Sequence, residues 1–354
     1  MPSVKSLTLA AAVAGIAAAG IAAPGTSSAG TVTLSGAGAT FPYPVYAKWA
    51  AAYERSTGVE LNYQSIGSGA GIRQIEARTV AFGASDMPLE PARLEAAGLL
   101  QFPAIIGGAV PVVHIRGVGP GQLLLDGPTL AAIYLGEITT WNDPRIERLN
   151  PGLRLPATAI APVYRSDGSG TNFLFTDYLC KMSPGFARNV GSSTSVAWPA
   201  GIGAKGNEGV ANMTGRIDGA IGYVEFAFAV QNHMAYVRLV NRAGRAVVPS
   251  VAAFQAAAAN ADWAHADHYH VVLTDQPGGK SWPITGASFV LVYRHPPDAA
   301  TTAEVLAFFD WAFRQGGEMA RALDYVPLPA GLVTRIEHSW RTEIEAHGAP
   351  VWTH

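Results

Sequence analysis

Three segments of the chain share one pattern, which is a short apolar or β-branched run, a turn of small residues and an amphipathic helix. The segments are TVTLSGAGATFPYPVYAKWAAAYERSTG, VELNYQSIGSGAGIRQIEART and AIAPVYRSDGSGTNFLFTDYLCKM. The pattern predicts strands over 32–35, over 59–66 and up to Arg165, each followed by a helix that opens at the turn. Such alternation favours an α/β fold with mostly parallel sheets, in which ligands bind at the carboxyl ends of strands.

The length of the chain predicts two domains with a cleft between them, because 354 residues exceed one ordinary core. Two long apolar runs, FPAIIGGAVPVVHI at 102–115 and PITGASFVLVYR at 283–294, are interpreted as strands that cross between the domains. The predicted first domain therefore comprises residues 30–105 and 285–354. The second comprises residues 106–284.

The N-terminus reads MPSVKSLTLAAAVAGIAAAGIAAPGTSSAG, with an early cation, an apolar run and the small-residue exit Ser27-x-Ala29. This is the pattern of a Sec signal peptide over residues 1–29, and it predicts export to the periplasm. The alternative is a membrane anchor, but the run consists of Ala and Gly rather than the Leu and Ile of a spanning helix. No cysteine follows the run, so no lipid anchor is expected.

The charge of the chain argues against a nucleic-acid partner. Charged residues make up 14% and the formal net charge is −2, so an anionic ligand gains nothing from the overall field. Any anion must therefore be held by local dipoles and a few placed donors.

One cysteine and one histidine cluster receive no chemical role. Cys180 lies in the helical pattern FLFTDYLCKM, where a small buried side chain is expected. His265, His268 and His270 occur in DWAHADHYH at irregular spacing, which favours a solvated surface cluster over a metal site.

The three turns have the chemistry of an anion site. A helix N-terminus carries unpaired backbone N–H groups and about half a positive charge. Each turn adds glycine, which allows close backbone approach, and a hydroxyl donor: Thr40 in GAGATF, Ser68 in IGSGAG, and Ser169 with Thr171 in DGSGTN. One such turn alone is more often a plain helix cap, so the prediction depends on the combination.

Two charged groups extend this hypothesis. The planar guanidinium of Arg165 suits bidentate contact with phosphate oxygens, and Asp167 can hold it in place. Asp86, in FGASDMPL, is useful beside an anion if the ligand carries a proton, because its carboxylate accepts that O–H and repels an ion without one, such as sulfate. Taken singly, these residues would be a surface ion pair and a turn residue.

Seven strings, in the same order along the chain, resemble the phosphate-binding component of the bacterial phosphate ABC transporter. They are GAGATFPYPVYAKW, YQSIGSGAGIRQI, FGASDMPL, FPAIIGGAV, RSDGSGTNFLFTDYL, GAIGYVEFAFA and SWPIT. The resemblance implies a periplasmic-binding-protein (Venus-flytrap) fold, in which two α/β domains joined by two crossover strands close over one phosphate. It also implies delivery of that phosphate to the permease and ATPase subunits in the membrane.

The resemblance also assigns the site residues by matching motif. The implied phosphate contacts are Thr40, Phe41, Ser68, Asp86, Arg165, Ser169, Gly170 and Thr171. Asp167 would orient the arginine, and Phe41 and Gly170 would contribute backbone N–H groups only. The protein is expected to be a monomer without catalytic residues, metal or other cofactor.

Two other functions remain open at this stage. A secreted phosphatase could use Ser, Asp and Arg, but neither Ser68 nor Ser169 lies in G-x-S-x-G, and no histidine is near either turn to act as base. A binding protein for arsenate is not separated from one for phosphate, because arsenate carries the same proton. Asp86 argues against sulfate and molybdate.

Overall fold

The computed structural model describes residues 33–354, so the predicted signal peptide lies outside the described residues. The strands of this range are β1 (Thr33–Gly38), β2 (Glu60–Ser65), β3 (Phe82–Ser85), β4 (Leu99–His114), β5 (Leu124–Leu125), β6 (Ala161–Arg165), β7 (Ile202–Ala204), β8 (Ala220–Glu225), β9 (Ala235–Tyr236), β10 (Arg238–Val240), β11 (Ala246–Val247), β12 (Thr285–Tyr293), β13 (Glu345–Ala346) and β14 (Ala349–Pro350).

The α-helices of the same range lie on the faces and edges of these strands. They are α1 (Tyr43–Thr57), α2 (Ser68–Glu76), α3 (Pro91–Ala97), α4 (Gly127–Tyr134), α5 (Pro144–Leu149), α6 (Gly170–Met182), α7 (Pro184–Asn189), α8 (Gly206–Arg216), α9 (Phe226–Gln231), α10 (Val251–Ala259), α11 (Ala299–Gln315), α12 (Gly317–Arg321) and α13 (Ala330–Glu343). Within residues 33–354, none of the helices has the length and apolar character needed to cross a bilayer.

Among the described residues, nine strands form one continuous sheet in the order β2-β1-β3-β12-β4-β8-β6-β7, with β9 paired to β4. The outer strands pair in parallel, β1 with β2 and β3, and β6 with β7 and β8. The centre is antiparallel, because β12 pairs with β3 and β4, and β4 pairs with β8. The predicted α/β class is confirmed, although the long central strands add more antiparallel pairing than the sequence indicates.

Strand β4 joins the two halves of the sheet. Its residues 99–108 pair with β12, its residues 109–114 pair with β8, and all of its residues except the last are buried. We call β2, β1, β3 and β12 the first half of the sheet, and β8, β6 and β7 the second half. The other connection precedes β12, where Trp282 Nε1 donates to the Ala109 carbonyl at 2.9 Å and Ala109 N–H donates to the Ile284 carbonyl at 2.9 Å. Only one of the two predicted crossing strands therefore pairs in both halves.

The three predicted strand–turn–helix units all form. β1 extends three residues beyond the predicted end at residue 35, and α1 ends at Thr57, followed by Gly58 as its C-cap with φ 77°. α2 opens at Ser68, and α6 opens at Gly170 with Ser169 as its N-cap. Phe173 on α6 is only partly buried, because the buried stripe of this helix runs through the neighbouring residues 174 and 175.

The segment after α10 packs against the beginning of β4 and against α13. Gln101 Nε2 on β4 donates to the His268 carbonyl at 2.9 Å, and Arg335 Nη2 on α13 donates to the Ala266 carbonyl at 2.8 Å. Residues of the predicted second domain thus contact those of the predicted first. The domain boundaries drawn from the sequence remain a prediction.

The histidines of this segment face different partners. His265 Nδ1 lies 2.9 Å from Asp262, His268 Nδ1 lies 3.0 Å from Arg294 Nη2, and His270 Nε2 lies 3.3 Å from Glu90 Oε1. In the part of the chain that the structure describes, no group of three or more His, Cys, Asp or Glu side chains is placed to hold a metal ion.

Gly71 should be essential for packing α2 on the sheet. A Cβ atom at Gly71 would lie 2.4 Å from Gly38 Cα and 2.6 Å from the Ala37 carbonyl oxygen, both of which are backbone atoms of β1. We expect Gly71→Ala to lower the free energy of unfolding by about 1–3 kcal/mol, as overpacking does. Gly215→Ala on α8 is the matched control, because a Cβ there has no atom within 4 Å. Urea denaturation of both variants measures the difference, and equal stabilities would contradict the packing argument.

Candidate anion-binding site

The turns that follow β1, β2, β3 and β6 meet where the two halves of the sheet face each other. Gly69 N–H donates to the Gly168 carbonyl at 2.9 Å, and a Cβ atom at Gly170 would lie 2.5 Å from Asp86 Cβ. Glycine is therefore required for this approach. The structure brings together and buries all eight predicted contact residues, namely Thr40, Phe41, Ser68, Asp86, Arg165, Ser169, Gly170 and Thr171.

The hydroxyls of Ser68 and Ser169 accept hydrogen bonds from backbone N–H groups. Ser68 Oγ accepts from Asp86 N–H at 3.2 Å and from Gly170 N–H at 3.0 Å. Ser169 Oγ caps α6 by accepting from Asn172 N–H at 3.0 Å. Because N–H donors occupy lone pairs of these oxygens, the hydrogen of each hydroxyl is directed to act as a donor. Gly170 N–H, which the resemblance assigns to the ligand, contacts Ser68 in this structure.

Thr40 is held in the same way by a residue that the sequence analysis missed. Thr40 Oγ1 accepts from Asn207 Nδ2 at 2.8 Å and from Asn207 N–H at 3.3 Å. The Asn207 side chain is oriented by Glu225, whose backbone N–H donates to Asn207 Oδ1 at 3.0 Å. The Thr40 hydroxyl is therefore also left as a donor. The sequence feature that could have indicated Asn207 is the glycine-flanked opening of α8, GNEG. This string contains no hydroxyl residue and so does not match the other turns.

Arg165 forms a bidentate ion pair with Asp167. Its Nε donates to Asp167 Oδ1 at 2.7 Å, and its Nη2 donates to Asp167 Oδ2 at 2.5 Å. Gly206 N–H donates to the same carboxylate at 3.0 Å. Burial acts to raise the pKa of Asp167, but the hydrogen bonds and positive charge of Arg165 hold it below its ordinary value. The ion pair thus stays charged, and Arg165 Nη1 is left without a protein partner among the described residues.

Asp86 is buried at the end of β3. Burial raises its pKa from 3.8 to about 7, against the lowering influence of Ser288, Arg165 and Ser68. Three buried polar atoms of the cluster have no hydrogen-bond partner within residues 33–354: Asp86 Oδ1, Arg165 Nη1 and Thr171 Oγ1. Leaving such atoms unpaired is costly. A ligand that offers both acceptor oxygens and a proton would satisfy all three.

Two of the three predicted helix N-termini lie directly at the cluster. Ser68 is the first residue of α2, and Gly170 is the first residue of α6. α1 begins later, at Tyr43, so Thr40 and Phe41 lie in the turn before that helix. Asp167 instead accepts from Gly206, the first residue of α8, which adds a helix terminus that was not predicted.

Comparisons with known proteins identify the family of this chain. Residues 23–315 match a family model described as a PBP superfamily domain. The chain is 52% identical over 321 residues to the phosphate-binding protein PstS of Pasteurella multocida, which covers 90% of this chain and 93% of that protein. It is 33% identical over 320 residues to the phosphate-binding protein PstS 2 of Mycobacterium tuberculosis, covering 86% of this chain and 85% of that protein.

Solved structures share the fold at lower identity. A high affinity periplasmic phosphate-binding protein (PfluDING) bound with phosphate superimposes with a TM-score of 0.70 at 20% identity, covering 90% of this chain and 96% of that one. A phosphate-binding protein from Stenotrophomonas maltophilia gives a TM-score of 0.67 at 19% identity, covering 90% and 97%. At this level of identity the likeness concerns the fold alone.

The raised pKa of Asp86 predicts a specific pH dependence of stability. Between pH 3.8 and about 7 the folded protein binds more protons at Asp86 than the unfolded chain does. The contribution of Asp86 to the free energy of unfolding should therefore fall as pH rises through that window. In phosphate-free buffer, Asp86→Asn should become progressively more stable relative to the unsubstituted protein from pH 4 to pH 7. Urea denaturation at several pH values measures this difference, and a constant difference would show that the pKa is not raised.

Proposed function

This chain belongs to the PstS family of phosphate-binding proteins, and from that premise we propose how its residues take up phosphate. The protein binds inorganic phosphate for delivery to a phosphate ABC transporter. The observation that best supports the proposed site is the direction of the hydrogen bonds at its hydroxyl groups. Thr40, Ser68 and Ser169 each accept N–H groups, so each presents its hydrogen as a donor. Buried donors of this kind can replace the hydration of a tetrahedral oxyanion.

The proposed contacts divide between the two halves of the sheet. Thr40, Phe41, Ser68 and Asp86 come from the first half, and residues 165–171 come from the second. Arg165 is the positively charged residue among these contacts, and its Nη1 is the donor group that Asp167 leaves available. Phe41 and Gly170 contribute backbone N–H groups, and that of Gly170 is shared between Ser68 and the ion.

Asp86 gives the proposed site its selectivity for a protonated ion. An ionised Asp86 accepts the O–H of phosphate, and a protonated Asp86 donates to an oxygen that has lost its proton. One proton shared between Asp86 and the ion therefore satisfies both groups near neutral pH. Sulfate brings no proton, so its binding requires Asp86 to be protonated, and an ionised Asp86 repels it.

Phosphate binding is proposed to favour closure of two domains, residues 30–105 with 285–354 and residues 106–284. An ion that contacts both domains stabilises the closed arrangement by its differential affinity for it. We further propose that residues 1–29 are a signal peptide, that the mature protein works in the periplasm as a monomer, and that permease and ATPase subunits receive the phosphate.

We propose binding without chemical turnover. Nucleophilic serines are activated by a neighbouring base, whereas the Ser169 hydroxyl contacts the backbone N–H of Asn172. A chromogenic phosphate ester should therefore not be hydrolysed by the purified protein. If the ester is hydrolysed and Ser169→Ala abolishes the hydrolysis, the protein is a phosphatase and the proposal of binding without turnover is wrong.

Asp86→Asn should weaken the discrimination between phosphate and sulfate. The asparagine removes the charge that repels sulfate and can donate to it, so we expect the preference for phosphate to fall by about ten- to a hundredfold, the equivalent of one hydrogen bond to a charged group. Competition calorimetry at neutral pH measures the change. Asp267→Asn is the control, because that side chain is 76% exposed and lies outside the site. Unaltered selectivity in Asp86→Asn would remove this role from Asp86.

A further inference from the structure

A buried carboxyl group lies behind the Thr40–Phe41 turn. Glu225 ends β8 and is fully buried. Its backbone N–H reaches Thr40 through Asn207, by the contacts described above. Its side chain reaches Phe41 through Tyr325, because Tyr325 Oη lies 2.9 Å from Glu225 Oε2 and 2.6 Å from the Phe41 carbonyl oxygen. Glu225, a residue of the second half, is thus linked to Thr40 through Asn207 and to Phe41 through Tyr325.

The number of hydrogens in these contacts favours a protonated Glu225. The Tyr325 phenol has one hydrogen and two close oxygen neighbours. A carbonyl oxygen cannot donate, so the 2.6 Å contact with Phe41 requires the phenol hydrogen. The contact with Glu225 Oε2 then needs a hydrogen from the acid. A protonated Oε2 can donate to Tyr325 and still accept the Ala227 N–H, which lies at 2.8 Å.

The surroundings of Glu225 also favour the neutral acid. Glu225 Oε1 has no hydrogen-bond partner among the described residues, and a Cβ atom at Gly107 would lie 3.2 Å from it and 3.0 Å from the Phe41 ring. The charged and titratable groups that act on Glu225 are Asp324 and Tyr325, and neither is a cation. Burial raises the pKa of Glu225 well above its ordinary value, and the negative charge of Asp324 adds to that effect.

We propose that Glu225 is a positioning residue for the phosphate site and acts as a neutral carboxylic acid. It donates to Tyr325, which donates to the Phe41 carbonyl, while the backbone N–H of Glu225 orients Asn207 against Thr40. The first two phosphate-binding residues are therefore held by a residue of the opposite half. This inference rests on the proposed function of Thr40 and Phe41.

Glu225→Gln distinguishes an acid from a carboxylate at this position. A carboxylate oxygen would accept from both Ala227 and Tyr325, and the glutamine carbonyl oxygen would do so equally well. A protonated Oε2 accepts from the Ala227 N–H and donates to Tyr325. In glutamine, the carbonyl oxygen can only accept and the NH₂ group can only donate, so neither can make both contacts. We therefore expect Glu225→Gln to weaken phosphate binding by about tenfold, which corresponds to one lost hydrogen bond.

Calorimetry with inorganic phosphate compares the full chain, Glu225→Gln, Tyr325→Phe and the double variant. Tyr325→Phe should weaken binding to a similar extent, and the double variant should be little worse than either, because both changes break one hydrogen-bond chain. Glu318→Gln on α12 is the control, because that side chain is 97% exposed. Phosphate affinity in Glu225→Gln equal to that of the unsubstituted protein would overturn the proposal.

Infrared difference spectroscopy gives a second readout that does not depend on phosphate. The unsubstituted protein minus Glu225→Gln should show the carbonyl band of a protonated carboxylic acid at neutral pH. If Glu225→Gln does not fold, Tyr325→Phe should shift the same band. An ionised carboxylate band in its place would overturn the neutral acid. Failure of the unsubstituted protein to bind phosphate, with the acid band present, would reject the proposed function instead.

Discussion

The structure depends on the contact between two glycine turns that come from opposite halves of the sheet. Gly69 N–H donates to the Gly168 carbonyl, and each of these glycines would place a Cβ atom 3.1 Å from the Cα atom of the other. Side chains would separate the turns and move the helix termini of α2 and α6 apart. Glycine at these positions lets backbone dipoles from two separate parts of the chain converge on one small volume.

This convergence allows an anion site in a protein with no excess of positive charge. Arg165 is the cation of the cluster, and Asp167 compensates most of its charge. The other donors are neutral, and because N–H groups occupy lone pairs of the hydroxyl oxygens, the hydroxyl hydrogens are left to donate. The hydrogen bonds that an anion makes with water are thereby replaced by hydrogen bonds from protein donors whose directions are fixed. A site built in this way selects by geometry and by proton count more than by charge.

The sequence predicted the parts of the site that are encoded locally. A strand, a glycine-hydroxyl turn and a helix follow each other within about twenty residues, so residues such as Ser68 and Ser169 could be identified from spacing and from the family resemblance. Asn207, Glu225 and Tyr325 could not, because their contacts span large separations: Asn207 is 167 residues from Thr40, and Tyr325 is 284 residues from Phe41. Their side chains reach the site only because β4 brings the two halves of the sheet together. The antiparallel centre of the sheet was underestimated for the same reason, since periodicity does not reveal strand direction.

The proposed site and the junction of the two halves occupy the same place. Strand β4 changes partner from β12 to β8 between Gly108 and Ala109, and a Cβ atom at Gly107 would contact both the Phe41 ring and Glu225. Any rotation of the halves about this part of β4 must change the separation between Tyr325, which follows α12, and Glu225, which ends β8. Under the proposed closure, the contacts that hold Phe41 would therefore form together with those that bind phosphate. Ligand binding and domain movement would then be coupled directly, because the same residues take part in both. The coupling would not require a chain of contacts between distant sites.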